Sequence, residues 1–157
     1  MRRRLFCILS GILLLVSCES YDCTLYNTVA MYGAFDREGV AVRITDTLTI
    51  TACGTDAVLL NRAVNTPSLT LPLSYWQDED TLVFNVKGDG YLLRDTVWVK
   101  KTNQVHYESP DCPTTVFHTI QDVRNTNEFI KSITVIRSSV NYETTTNLQI
   151  HLLSASD

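Results

Sequence analysis

The chain has 157 residues, 45% of them hydrophobic and 19% charged, with 17 acidic against 13 basic side chains. That length suits one domain able to bury most of an apolar core. Basic residues past position 4 are scattered along an acidic chain, a balance that phosphate backbones repel, so nucleic acid is not an expected partner.

The first segment reads as a targeting signal. Arg2, Arg3 and Arg4 give a positive start, and residues 5–16 are apolar apart from Ser10 and Gly11. Such a run is too short for the roughly 20 residues of a membrane-spanning helix. A charged start, a short apolar centre and a small residue before a cut make a secretory signal peptide. The ending "LVSC" (Leu15 to Cys18) resembles the bacterial lipobox, in which the cysteine thiol receives a diacylglyceryl group. Cys18 is therefore the expected first residue of the mature protein and its lipid anchor. Each buried CH₂ contributes ~0.8 kcal/mol and a single acyl chain binds only marginally, so two or three chains would hold the protein durably. The chain divides into a signal peptide (1–17), a lipidated tether (18–23) and one domain (24–157). Cys7 leaves with the signal, as do three arginines, so the mature chain carries ten basic against seventeen acidic residues, a balance of −7.

Three cysteines follow the anchor: Cys23, Cys53 and Cys112. Pairing is the default in an exported protein, and three cysteines allow one internal bridge. Spacing leaves three pairings open. Cys23 with Cys112 is favoured because "YDCT" and "SPDCPT" both hold turn-forming residues, and a loop of that length would contribute ~4–5 kcal/mol in the chain-entropy model. Cys53 ends an alternating run and reads as a buried thiol.

Strand follows strand from there. "TVAMYGAF" (28–35), "GVAVRI", "DTLTITAC", "VLLN" (58–61), "SLTLPLSY" (68–75), "TLVFNV" (81–86), "DTVWVKK" (95–101), "QVHYES", "TVFHTI", "FIKSITVIRSS" (129–139) and "NLQIHLLS" (147–154) alternate apolar with polar residues or are rich in β-branched ones. Between them lie "DREG", "CGTD", "NTP", "QDED", "KGDG", "SPDCP" and "NYETTTN", whose Gly, Asn, Asp and Pro take tight backbone angles. Apart from one short helical alternative at "IQDVRNTNEFIKSI", no stretch has helical spacing. The expectation is all-β: eight to ten strands in a single antiparallel β-sandwich, wired as a Greek key.

Few residues suggest chemistry. Asp78 and Asp80, in "QDEDT", offer two carboxylates at i and i+2 for a hard cation such as Ca²⁺, but lack the glycine and distal glutamate of an EF-hand loop. A solvated hairpin turn is the simpler reading. His106 and His118 lie six residues either side of Cys112, a trio that could in principle hold zinc, although structural histidines explain them as well. Cys53 with a folded-in histidine would be a thiol nucleophile, but nothing in the sequence lowers its pKa or orients a base. The expectation is a protein that is not an enzyme and needs no cofactor. Asp-Thr-aliphatic steps recur at 46–48, 80–82 and 95–97. They resemble the O-glycosylation acceptor of exported Bacteroidota proteins, which would make Thr47, Thr81 and Thr96 attachment points. β-Propensity alone also produces this pattern, with Asp ending a turn and Thr opening a strand.

The pieces "LTLPL", "DTLVF", "DTVWVK", "HYESPDC" and "SITVIRSSVNYETTTNLQIHL" together resemble an uncharacterised family of small Bacteroidota lipoproteins, the domain of unknown function 6452. The resemblance covers nearly the whole mature chain. It implies a lipid cysteine, a second cysteine soon after and a later one, here Cys18, Cys23 and Cys112; the glycine usual after the last is Pro113. It brings no activity. The resulting expectation is a non-enzymatic lipoprotein of the outer membrane, either a binding or an envelope-structural module, with Ca²⁺ binding as the alternative. Tyr75, Trp76, Tyr91 and Trp98 are the aromatics available to a patch for protein or glycan. Which membrane face the domain occupies stays open.

Overall fold

The computed structural model describes residues 28–55, 57–110 and 112–154. The strands are β1 (Met31–Arg37), β2 (Val40–Ala41), β3 (Thr47–Ala52), β4 (Val58–Ala63), β5 (Ser68–Leu71), β6 (Glu79–Lys87), β7 (Leu92–His106), β8 (Thr115–Asn125), β9 (Ile130–Val135), β10 (Ser139–Val140) and β11 (Leu148–Leu152). Among the described residues there is no helix, and the all-β expectation holds.

The strands form two sheets. The larger runs β10-β8-β7-β6-β3-β4; the smaller runs β2-β1-β11-β9, with β5 also paired to β1. Strict alternation builds the inner faces. Leu48 and Ile50 of β3, Leu82, Phe84 and Val86 of β6, and Val97 and Val99 of β7 meet Met31, Phe35, Leu71, Ile130, Leu148 and Ile150 of the other sheet in one core. Each such side chain, fully buried, is worth ~1.5–3 kcal/mol. Gly33 lets the smaller sheet close over this core: a Cβ there would lie 2.8 Å from Leu69 Cδ1 and 3.3 Å from Ile150 Cδ1.

Several local expectations are corrected. β1 and β11 pair in parallel, Gly33 with Leu148 through Asp36 with His151, so the sandwich is not wholly antiparallel. A parallel pair needs a long crossover, and here the whole intervening chain supplies it. In the larger sheet β6–β7–β8 is a meander, flanked by strands that cross between sheets, rather than a Greek key. "DTVWVKK" and "QVHYES" fuse into the fifteen-residue β7, because inward Lys101 and Asn103 continue the alternation of Val97 and Val99. "SLTLPLSY" stops at Leu71, where Pro72 has no N–H to donate. The segment offered as a short helix is instead the end of β8, a turn and the start of β9.

Strand directions define two ends. The start of β1, the end of β5, the start of β6 and the hairpin joining β7 to β8 lie at one; residues 43–46, 88–91, 126–129 and 153–154 lie at the other.

Candidate functional site

At the first end the inner face of the larger sheet turns polar. Asp80, Lys101, Asn103 and His118 follow the core valines inward, beneath the loop 72–78 that joins β5 to β6. The Lys101 side chain is fully buried. Its ammonium donates to Ser74 O (2.7 Å), Gln77 O (2.5 Å) and Asn103 Oδ1 (3.0 Å), and lies 3.5 Å from Asp80 Oδ2. Asp80 Oδ2 in turn accepts from Ser74 N (3.0 Å), and Asn103 Nδ2 donates to Gln77 O (3.0 Å). Burial lowers the Lys101 pKa, opposed by the Asp80 charge.

Asn103 Oδ1 can only accept, so His118 Nδ1, 2.8 Å away, carries the proton. His118 Nε2 is then a bare acceptor, buried and without a partner, with the Tyr75 ring stacked nearly parallel above. Desolvation, reinforced by the Lys101 charge, pushes the His118 pKa down to about 4. Above the network stand Tyr75 and Trp76, 55% and 85% exposed. A groove of about 260 Å³ beside them is lined by Cys53, Leu59, Pro72, Leu73, Trp76 and Leu82, among others.

The opposite end is organised by an anion. Asp95, fully buried at the start of the inward series Asp95–Val97–Val99, accepts four hydrogen bonds. Oδ1 takes Thr126 Oγ1 (2.6 Å) and Glu128 N (2.8 Å); Oδ2 takes Phe129 N (2.8 Å) and Ile130 N (2.7 Å). The pinned segment closes one wall of a cleft of about 490 Å³. Its base is Ile44, Val86, Phe129 and Leu152, and its rim carries Arg37, Arg43, Asp46, Tyr91 and Glu128. Tyr91 OH donates to Asp46 Oδ2 (2.5 Å), which raises the Tyr91 pKa, and its ring covers Gly88 where any Cβ would collide.

Cys18 and Cys23 lie outside the described residues, so the anchor and one half of the favoured bridge are not placed. Cys112 is not a free thiol, and no disulfide joins two cysteines among the described residues. The expectation of a buried Cys53 is overturned. β3 ends at Ala52, and Cys53 opens the turn to β4 as a free, exposed thiol. The carboxylates of Asp78 and Asp80 do not gather a cation site. Asp80 is committed to Lys101 and the Ser74 amide, and no described group of three His, Cys, Asp or Glu side chains is arranged to hold a metal.

The histidines are engaged separately. His106 stacks on Phe117 (4.2 Å) with Tyr142 nearby, His118 serves the Lys101 network, and His151 lies 2.7 Å from Asp36 Oδ1. His151 Nε2 is also 2.9 Å from Thr134 Oγ1, giving an acid–imidazole–hydroxyl series across β1, β11 and β9. Its order matches a nucleophile–base relay, but it lies on the outer face of the smaller sheet and lines neither the groove nor the cleft. It acts as a cross-strand polar ladder.

Thr47, Thr81 and Thr96 all face outward on the larger sheet, half-exposed. Of their preceding aspartates, Asp80 and Asp95 turn inward as loop clamps, while Asp46 lines the cleft. Trp98 is half-buried beneath Arg124, 5.3 Å from its ring. The sequence reading missed Lys101, Asn103 and Asp95. Their signal was parity: each sits at an inward position of β7, in register with Val97 and Val99.

The chain belongs to the family of unknown function DUF6452, whose model matches residues 47–152. No curated protein and no solved structure matches it.

Proposed function

We propose that this chain is a lipid-anchored, non-enzymatic protein of the outer membrane whose domain is a binding module, working without a cofactor through the cleft rimmed by Arg37, Arg43, Asp46 and Tyr91. The observation that carries the reading is polarity of the fold. The chain leading back to Cys18 joins at the Lys101 end, and the cleft opens at the other. A domain tethered that way offers its cleft away from the membrane. The lipobox-like ending at Cys18 supports the same reading. The mixed-charge rim over an apolar base suits a protein or glycan segment with both polar and apolar groups, and the acidic chain disfavours nucleic acid.

The test is fractionation of cells expressing the wild type or Cys18→Ala, with intact mass of the purified protein. The wild type is expected in the membrane fraction with the added mass of a diacylglyceryl cysteine, and Cys18→Ala in the soluble fraction. Membrane retention of Cys18→Ala would defeat the anchor. Protease shaving of intact cells then assigns the face, surface if the domain is cleaved and periplasmic if it is protected. The same mass measurement, with and without reduction, reads the proposed Cys23–Cys112 bridge, and hexose-sized increments on peptides holding Thr47, Thr81 or Thr96 read glycosylation.

A further inference from the structure

The Lys101 end carries an arrangement that the cleft does not need. We propose that Trp76 and Tyr75, with Tyr107 of the β7–β8 hairpin at the same end, form a membrane-contact surface that rests in the lipid headgroup layer; this rests on the reading of Cys18 as the anchor.

The chain enters the domain at this end. Met31 pairs with Leu71 and Tyr32 with Thr70, antiparallel, so residues 28–30 run out beside Pro72 and Leu73. Thr28 is ten residues from Cys18. A fully extended chain spans at most ~3.3–3.6 Å per residue, so this end stays within about 35 Å of the anchor. The opposite end lies farther by the length of the sandwich, ~30 Å for the nine residues of β6. A Cys23–Cys112 bridge would shorten the reach further, because Cys112 belongs to the β7–β8 hairpin at this same end.

Three large aromatics face outward there. Trp76 is 85% exposed, Tyr75 55% and Tyr107, the first residue after β7, 70%. Large aromatics left open to water are costly, whereas Trp and Tyr favour the membrane–water boundary, where one part of the ring is dry and the polar tip is wet. Two of them, Tyr75 and Trp76, are held from beneath. Lys101 grips the carbonyls of Ser74 and Gln77, the residues directly before and after the aromatic pair. With both flanks drawn inward, positions 75 and 76 are thrust outward on a fixed turn. Charge selects the lipid. Asp78, the Glu79–Arg124 pair and Lys100 surround the turn without forming a cationic cluster, so zwitterionic headgroups suit it and anionic lipid adds nothing.

The chain has two tryptophans. In a Trp98→Phe background Trp76 is the sole reporter, and the full lipidated protein is reconstituted into phosphatidylcholine vesicles whose acyl chains are brominated close to the headgroup. Trp76 emission is expected to fall at least twofold relative to unbrominated vesicles and to shift to the blue, with iodide quenching reduced. A reporter at the opposite end, Leu92→Trp with Trp76→Phe and Trp98→Phe, is expected to show no bromine quenching. Protein that floats with the vesicles while Trp76 stays unquenched by bromine and open to iodide overturns the contact and leaves the anchor standing; the aromatic pair would then belong to a protein partner. Protein that fails to float overturns the anchor and the contact together.

Discussion

The two ends of this sandwich solve one problem with opposite charges. At the Lys101 end a buried cation collects carbonyl oxygens of the loop above it; at the Asp95 end a buried anion collects amide hydrogens of the segment beside it. Each charge sits where an inner face passes from core to rim, and each turns a loop into a rigid part. The difference lies in compensation. Lys101 has an opposite charge, Asp80, and also bends the pKa of a neighbour, His118. Asp95 relies on hydrogen bonds to neutral groups. A buried ion is tolerated when its hydrogen-bonding capacity is filled, whether or not a counter-ion supplies part of it.

The largest effect is expected from Lys101→Met. It leaves the Asp80 carboxylate and two loop carbonyls buried without their cation, a loss of ~3–5 kcal/mol, read as a lowered denaturant midpoint. Adding Asp80→Asn should recover part of that loss; no recovery would mean that the carbonyl contacts, not the ion pair, dominate. Asp95→Ala strands three amides and the Thr126 hydroxyl, for a loss of about 3 kcal/mol. Its footprint should differ, with faster hydrogen exchange at Glu128, Phe129 and Ile130 and an unchanged loop 72–78. If both loops loosen in both variants, the ends are not independent.

A smaller effect is expected from pH. His118 has a pKa of about 4 in the folded protein against an ordinary 6.5. Between those values the unfolded chain takes up a proton that the folded one refuses, so stability is full above pH 6.5 and falls as pH drops toward 4. The loss by pH 5 is about 1–2 kcal/mol after allowing for screening at this end. His118→Gln should flatten this acid limb relative to the wild type, and Asp95→Ala should not. An unchanged limb in His118→Gln would place the titration elsewhere. The smallest effect is expected from Trp76→Ser, within about 0.5 kcal/mol in solution, because the turn beneath is held from Lys101 rather than by the ring.

Alternation carried most of the architecture. Leu48 and Ile50, or Val97 and Val99, declare an inner face on sight, and the turns fell at the Gly, Asn and Pro clusters. The β1–β11 pair escaped because partners 115 residues apart leave no local mark on either strand. The two clamps escaped for a different reason. Lysine and aspartate read as solvent-facing, although the parity of β7 already put Lys101 and Asp95 inside. The Asp-Thr steps were read for their threonines, while two of the aspartates hold the loops. Cys53 was misjudged against its own parity: Leu48 and Ile50 put the even positions of β3 inside, so position 53 falls with Thr47, Thr49 and Thr51 on the wet side, where the turn to β4 begins.

One comparison tests the proposed orientation most directly: hydrogen exchange of the lipidated protein in vesicles against the same domain released as Cys18→Ala. Added protection is expected only in the 72–78 loop and the β7–β8 hairpin around Tyr107, with exchange at 43–46, 88–92 and 126–129 unchanged. Protection appearing at the cleft end instead, or equal exchange at both ends, would contradict that orientation.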